Sequence, residues 1–128
     1  MQNAERDLAS RTKEFARRVI RLFMALPQSA AAQVLGRQLL RSGTSVGAHY
    51  RETNRARSKP EFIAKIGDCL KEADESIYWM ELLRDEAFLP AIKLQPLLNE
   101  AGELVAIFVT ISKRAKGEMQ KDECRMRN

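Results

Sequence analysis

The sequence predicts an all-α protein, folded as an antiparallel up-and-down bundle of four helices. Three observations predict it. Apolar residues recur at alternating four- and three-residue spacings through four separate segments, which is the rhythm of one buried helix face. The stretches between those segments are short, and Pro27, Pro60 and Pro90 punctuate them. Aromatic residues make up 6% of the 128, with six glycines and four prolines, too few turn formers for many short strands. A chain of this length supports one domain, expected over residues 1–117, and the polar residues 118–128 are expected to be a mobile tail.

The first helix carries Leu8, Phe15, Val19, Leu22 and Leu26 on one stripe, with Thr12 filling the single gap. Pro27 ends it, and Gln28-Ser29 provides a turn and a cap for a second helix running from about Ala30 to about Ala56. Its inward face is small: Ala32, Leu35, Leu39, Ser42, Val46 and Thr53. Each glycine in a helix interior costs about 1 kcal/mol relative to alanine, so the sequence leaves open a break near Ser42-Gly43-Thr44-Ser45. Gly36, Leu40, Gly43, Gly47, Tyr50 and Asn54 form a second line, and its three glycines predict close approach of another helix.

Ser58-Lys59-Pro60-Glu61 reads as the start of the third helix, with Ser58 as cap and Glu61 three residues on, as in a capping box. Phe62, Ile66, Cys69, Ala73, Met80 and Leu83 follow, flanked by a second row of Ile63, Leu70 and Ile77. The pattern stops near Phe88-Leu89-Pro90. A fourth helix, starting near Pro96 or a turn earlier, contains Leu97, Ala101, Leu104, Phe108, Ile111 and Ala115, with Gly117 as its expected end. Two places are greasier than an isolated bundle needs: Tyr78, Trp79 and Leu82 beside the third stripe, and Ile107 within the apolar run 104–111. They predict contact with a second copy of the chain, the alternative being a thicker core with Trp79 at its edge.

Net charge is +5, but its distribution says more than its size. Residues 1–59 hold 12 Lys and Arg against 4 Asp and Glu; residues 60–128 hold 10 against 13. On the second helix Arg37, Arg41, Thr44, Ala48, Arg51 and Arg55 fall on one outward line, and on the first Arg6, Ser10, Lys13, Arg17 and Arg21 do the same. Neither line contains an acid. Such rows hold phosphates by charge and forked hydrogen bonds, which makes RNA or DNA backbone a candidate partner and Arg17, Arg21, Arg37, Arg41, Arg51 and Arg55 the candidate contacts. A solvated surface and an inter-subunit contact with the acidic third helix explain the same charges.

Signals for catalysis are absent. Ser42 to Gly47 matches a phosphate loop in composition only, lacking the Lys-Ser/Thr that follows and the strand that precedes. His49 is the only histidine, whereas a di-iron bundle requires two, and no metal or other cofactor is expected. Glu72 and Glu75 suit pairing with an arginine or His49 inside the bundle better than acid–base chemistry. Cys69 on the core stripe and Cys124 in the tail offer no disulfide framework, consistent with a reduced, cytoplasmic setting. The N-terminal residues lack a signal-peptide pattern, and no uninterrupted apolar run of about 20 residues predicts a membrane span.

Three stretches taken together resemble a known family: Gln38 to Glu52; Ser58 with Glu61-Phe62-Ile63; and Lys71 to Leu83, with its Glu75-x-x-Tyr78-Trp79 core. They are similar to the four-helix-bundle proteins of the 23S ribosomal RNA intervening-sequence type. His49 stands where that family's pattern has Asn. The resemblance implies a small cytosolic bacterial protein whose bundles assemble into a homo-oligomeric ring, a pentamer. It also implies kinship with the accessory variability proteins of diversity-generating retroelements, basic rings that bind nucleic acid and a reverse transcriptase. A protein partner is therefore a further expectation.

Overall fold

The computed structural model describes residues 2–127, with side chains from Leu8 onward. Arg6, at the start of the first basic line, lies outside the described side chains. Four helices follow in order: α1 (Gln2–Met24), α2 (Ala30–Thr53), α3 (Lys59–Asp85) and α4 (Ala91–Arg127), with no strand among the described residues.

The caps are those the sequence specifies. Ser29 Oγ accepts from the Ala32 N–H, and Ser58 Oγ accepts from the Glu61 N–H at 3.2 Å. Glu61 reaches back one residue further than a capping box requires, its carboxylate accepting from the Arg57 N–H. The α3–α4 connection is a Schellman turn: Ala87 N–H donates to Arg84 O and Phe88 N–H to Leu83 O. Ala87 occupies its left-handed position, with φ of 56°.

All four apolar stripes point inward. Phe15 and Val19, Leu39 and Val46, Ile66 and Met80, and Leu104 and Phe108 are fully buried in one core, where Tyr50 and Phe108 rings sit 6.2 Å apart. Polar members of the stripes are satisfied locally. Thr12 Oγ1 donates to Leu8 O at 2.8 Å, and Ser42 and Ser76 hydroxyls lie 2.8 Å apart across α2 and α3.

No break interrupts α2 at Ser42–Ser45. Hydroxyls of Ser42, Thr44 and Ser45 return hydrogen bonds to Leu39, Leu40 and Arg41 carbonyls, so the polar run decorates the helix instead of ending it. The glycines are there for α1. A Cβ on Gly43 would stand 2.8 Å from Val19 Cγ2, and one on Gly47 3.2 Å from Thr12 Oγ1. As α2 advances from Gly36 through Gly43 to Gly47, its neighbours on α1 recede from Phe23 through Val19 to Thr12.

Two boundaries differ from the sequence reading. α2 stops at Thr53, and Gly117 does not end α4, which continues as helix to Arg127; its start at Ala91 is the turn before Pro96 that the sequence allows. Pro96 sits one turn inside α4, and Lys59 Nζ donates to Glu118 Oε2 at 2.6 Å, tying the extension to the start of α3. By length and composition α4 also contains a window apolar enough to span a bilayer, although charged residues interrupt its apolar runs. In the bundle α4 supplies Leu94, Leu97, Ala101, Leu104 and Phe108 to the core.

Candidate nucleic-acid interface

The outward arginines separate into two classes. Arg41 leans toward α3, where Nη2 donates to Glu75 Oε2 at 2.9 Å and Nη1 to Glu72 Oε2 at 3.3 Å. Those bonds, Glu75's foremost, push the Arg41 guanidinium further above its ordinary value. The Glu72 side chain is only 12% exposed, so this is a tether between helices as much as a surface charge. Arg17 and Arg21 share Glu14, at 3.4 and 3.7 Å, in open solvent.

Arg37, Arg51 and Arg55 are exposed and make no hydrogen bond or ion pair with an acid among the described residues. Lys13 on α1 is in the same position. Lys13 of α1 and Arg51 of α2 both line a groove of about 350 Å³ between the two helices, whose other lining residues are Ala9, Thr12, Ala16, Thr44, Gly47 and Ala48. One cation from each basic line thus borders a single groove lined otherwise by small residues.

The acid nearest in sequence to Arg51 is engaged elsewhere. Lys65 Nζ donates to Glu52 Oε2 at 2.7 Å, holding that carboxyl below the usual range, and His49 Nδ1 stands 3.8 Å from the same oxygen. On the opposite side of the bundle, Arg11 of α1 donates to Glu100 at 2.6 Å and Glu103 at 2.9 Å, fastening α1 to α4. Sequence reasoning missed this clamp, because its partners stand 89 and 92 residues apart and no periodicity links them.

Of the expected oligomer residues, Tyr78, Trp79 and Leu82 lie on α3 and Ile107 on α4. Tyr78 is 54% exposed, its ring packed edge-on against Trp79 with centroids 5.1 Å apart. Trp79, Leu82 and Ile107 are half-buried, and the Trp79 Nε1–H is buried without a hydrogen-bond partner. No group of three or more His, Cys, Asp or Glu side chains is placed to hold a metal among the described residues. Burial pushes the Cys69 thiol up to about 12, which removes it as a nucleophile.

The model of one family, 23S rRNA-intervening sequence protein, matches residues 5–110. Among solved structures, the chain is 34% identical to a protein of unknown function from the S23 ribosomal protein family of Bacteroides thetaiotaomicron. That similarity has a TM-score of 0.79 and covers 85% of this chain and 97% of that one. No curated protein matches. The family match takes in all of α2 and α3, where the glycine line, Arg51 and the Tyr78-Trp79 pair reside, and the chain belongs to the 23S rRNA-intervening sequence protein family.

Proposed function

We propose that the protein is a non-enzymatic, homo-oligomeric, antiparallel bundle of the cytoplasm that binds nucleic acid, RNA in preference to DNA, through the α1–α2 face. The observation that carries this reading is the row of Arg37, Arg51 and Arg55, exposed and without acid partners among the described residues, with Lys13 lining the same groove as Arg51. Arginines without acid partners release phosphate counterions when they bind the backbone, giving salt-sensitive, largely sequence-independent affinity. Arg17 and Arg21 extend the face, since an exposed pair with Glu14 is readily exchanged for phosphate. RNA is favoured by the name of the family. Assembly into a ring, a pentamer, strengthens binding by presenting several such faces at once. The exposed Tyr78 and the unpartnered Trp79 N–H support self-association.

Arg41 favours a second reading, a scaffold whose charged faces serve assembly, because its guanidinium is already committed to carboxylates. A salt-titrated binding assay with structured RNA and duplex DNA separates the two. The first reading expects binding that weakens steeply with salt and is lost in Arg51→Glu while the oligomer survives. Absence of binding even near about 50 mM salt, where phosphate contacts are strongest, refutes it. Dissociation of the oligomer by Arg51→Glu supports the scaffold.

A further inference from the structure

We propose that the α1–α2 groove seats the sugar–phosphate backbone of a single-stranded nucleic acid, with one phosphate held between Lys13 and Arg51. This inference rests on the nucleic-acid reading and names the form of strand that the site takes. Two cations on different helices rim one groove of about 350 Å³, and neither has an acid partner among the described residues. A phosphate placed between them is approached from both sides, which one helix face alone does not allow.

The lining decides what enters. Beside the two cations the groove is lined by Ala9, Thr12, Ala16, Thr44, Gly47 and Ala48, all small side chains with no charge and no aromatic ring. Sequence-tolerant single-strand sites that hold bases do so by stacking them on aromatic side chains, and none lines this groove. Backbone, not base, is therefore the part that lies inside, with bases directed to solvent. A duplex carries its phosphates on a convex cylinder and rests on the rim, where it gains the charges but not the groove.

Charge spacing continues the argument along the groove. Lys13 and Arg17 are four residues apart on α1, a rise of about 6 Å, and Arg55 follows Arg51 just past the end of α2. That is comparable with the separation of successive phosphates on an extended strand. The neighbouring acids do not oppose it, because Glu52 is held by Lys65 and Glu14 by Arg17 and Arg21.

The test fills the groove without altering a charge. Ala9 and Ala48 are exposed, and leucine is a good helix former, so the double variant Ala9→Leu with Ala48→Leu keeps the fold, which circular dichroism verifies. Its affinity for labelled oligouridine of about 12 nucleotides is compared with that of the wild type and of Arg51→Glu, with an RNA hairpin as the duplex probe. Expected are a loss on the order of tenfold for oligouridine in the filled variant, little change for the hairpin, and loss of both probes in Arg51→Glu. Oligouridine binding at wild-type strength in the filled variant, beside its loss in Arg51→Glu, overturns the groove and leaves the basic-face reading standing. Failure of the wild type to bind either probe at low salt overturns both.

Discussion

Arg41 Nη2 lies 2.9 Å from Glu75 Oε2, and through that contact an arginine placed by periodicity on an outward basic line belongs instead to the α2–α3 seam. Its second bond reaches the largely buried Glu72, so removing the guanidinium leaves a carboxylate with little access to water. Arg41→Gln is expected to lower stability by about 1 kcal/mol, since half of the arginine side chain is solvent-screened. Polyanion affinity is expected to fall less than in Arg51→Gln. Urea unfolding and a salt titration on the same two variants check both halves, and equal losses of binding would place Arg41 back among the phosphate contacts.

Glycines in α2 and α3 should respond oppositely to alanine. Gly43 faces Val19, whose branched side chain would stand within 3.2 Å of a new Cβ at three atoms and has no flexible end to move aside. Gly43→Ala is therefore expected to cost about 1–3 kcal/mol as overpacking. Gly67 has nothing within 4 Å of a built Cβ, and Gly67→Ala should gain about 0.5–1 kcal/mol from helix propensity. Thermal unfolding of the two variants against wild type gives the signs directly.

The turn after α3 carries a stabilising change that its sequence does not advertise. Ala87 holds the left-handed position of the Schellman turn at φ 56°, where a Cβ is unfavourable and glycine is at ease. Ala87 is exposed, so glycine loses no packing there. Ala87→Gly is expected to raise stability by about 1 kcal/mol, and a fall in the urea midpoint would contradict the assigned conformation.

Acid sensitivity should concentrate in the α1–α4 clamp. Arg11 holds the Glu100 carboxyl below the usual range, first through its hydrogen bonds. A carboxyl depressed in the folded state contributes stability that is complete above its unfolded value of about 4.3 and is lost as pH falls through the lower folded value. Arg11→Met should thus be less stable than wild type at pH 7, with the gap narrowing as both are titrated below that value. A gap that stayed constant down to strongly acidic pH would show that Arg11 stabilises by packing alone. Glu52 and Glu118 are depressed in the same direction by Lys65 and Lys59, but in open solvent, so added salt should weaken their share first.

Much of this architecture is legible in the sequence because the helices obey one rule. Thr12 and Ser42 could be kept on apolar stripes since hydroxyls can satisfy themselves on their own helix, and both do. The glycine line announced a close neighbour, and Val19 and Thr12 of α1 are among its contacts. Two kinds of information were out of reach. Pairings that depend on how far a helix is rotated, such as Arg41 with Glu75 or Arg11 with Glu100, are set by packing of all four helices together. Helix ends were also overcalled at Gly117, where a glycine open to solvent costs too little to stop a helix that Lys59 braces from α3.

Trp79 offers the sharpest check on self-association. It is the single tryptophan, it is half-buried beside the exposed Tyr78 ring, and its Nε1–H is sequestered without an acceptor. Leaving a buried donor unmade costs about 1–3 kcal/mol, a cost that an acceptor or water exclusion from a second copy changes. Because its fluorescence reports one site, dilution from micromolar to nanomolar concentration should shift the emission as the neighbour departs. Tyr78→Glu, which places a charge on the exposed ring position, should give the diluted spectrum at every concentration and sediment as a monomer. Trp79→Phe should keep the fold, because it removes the unpartnered N–H while retaining an aromatic body against the core. An emission maximum independent of concentration, together with unchanged sedimentation of Tyr78→Glu, would take this face out of any subunit contact.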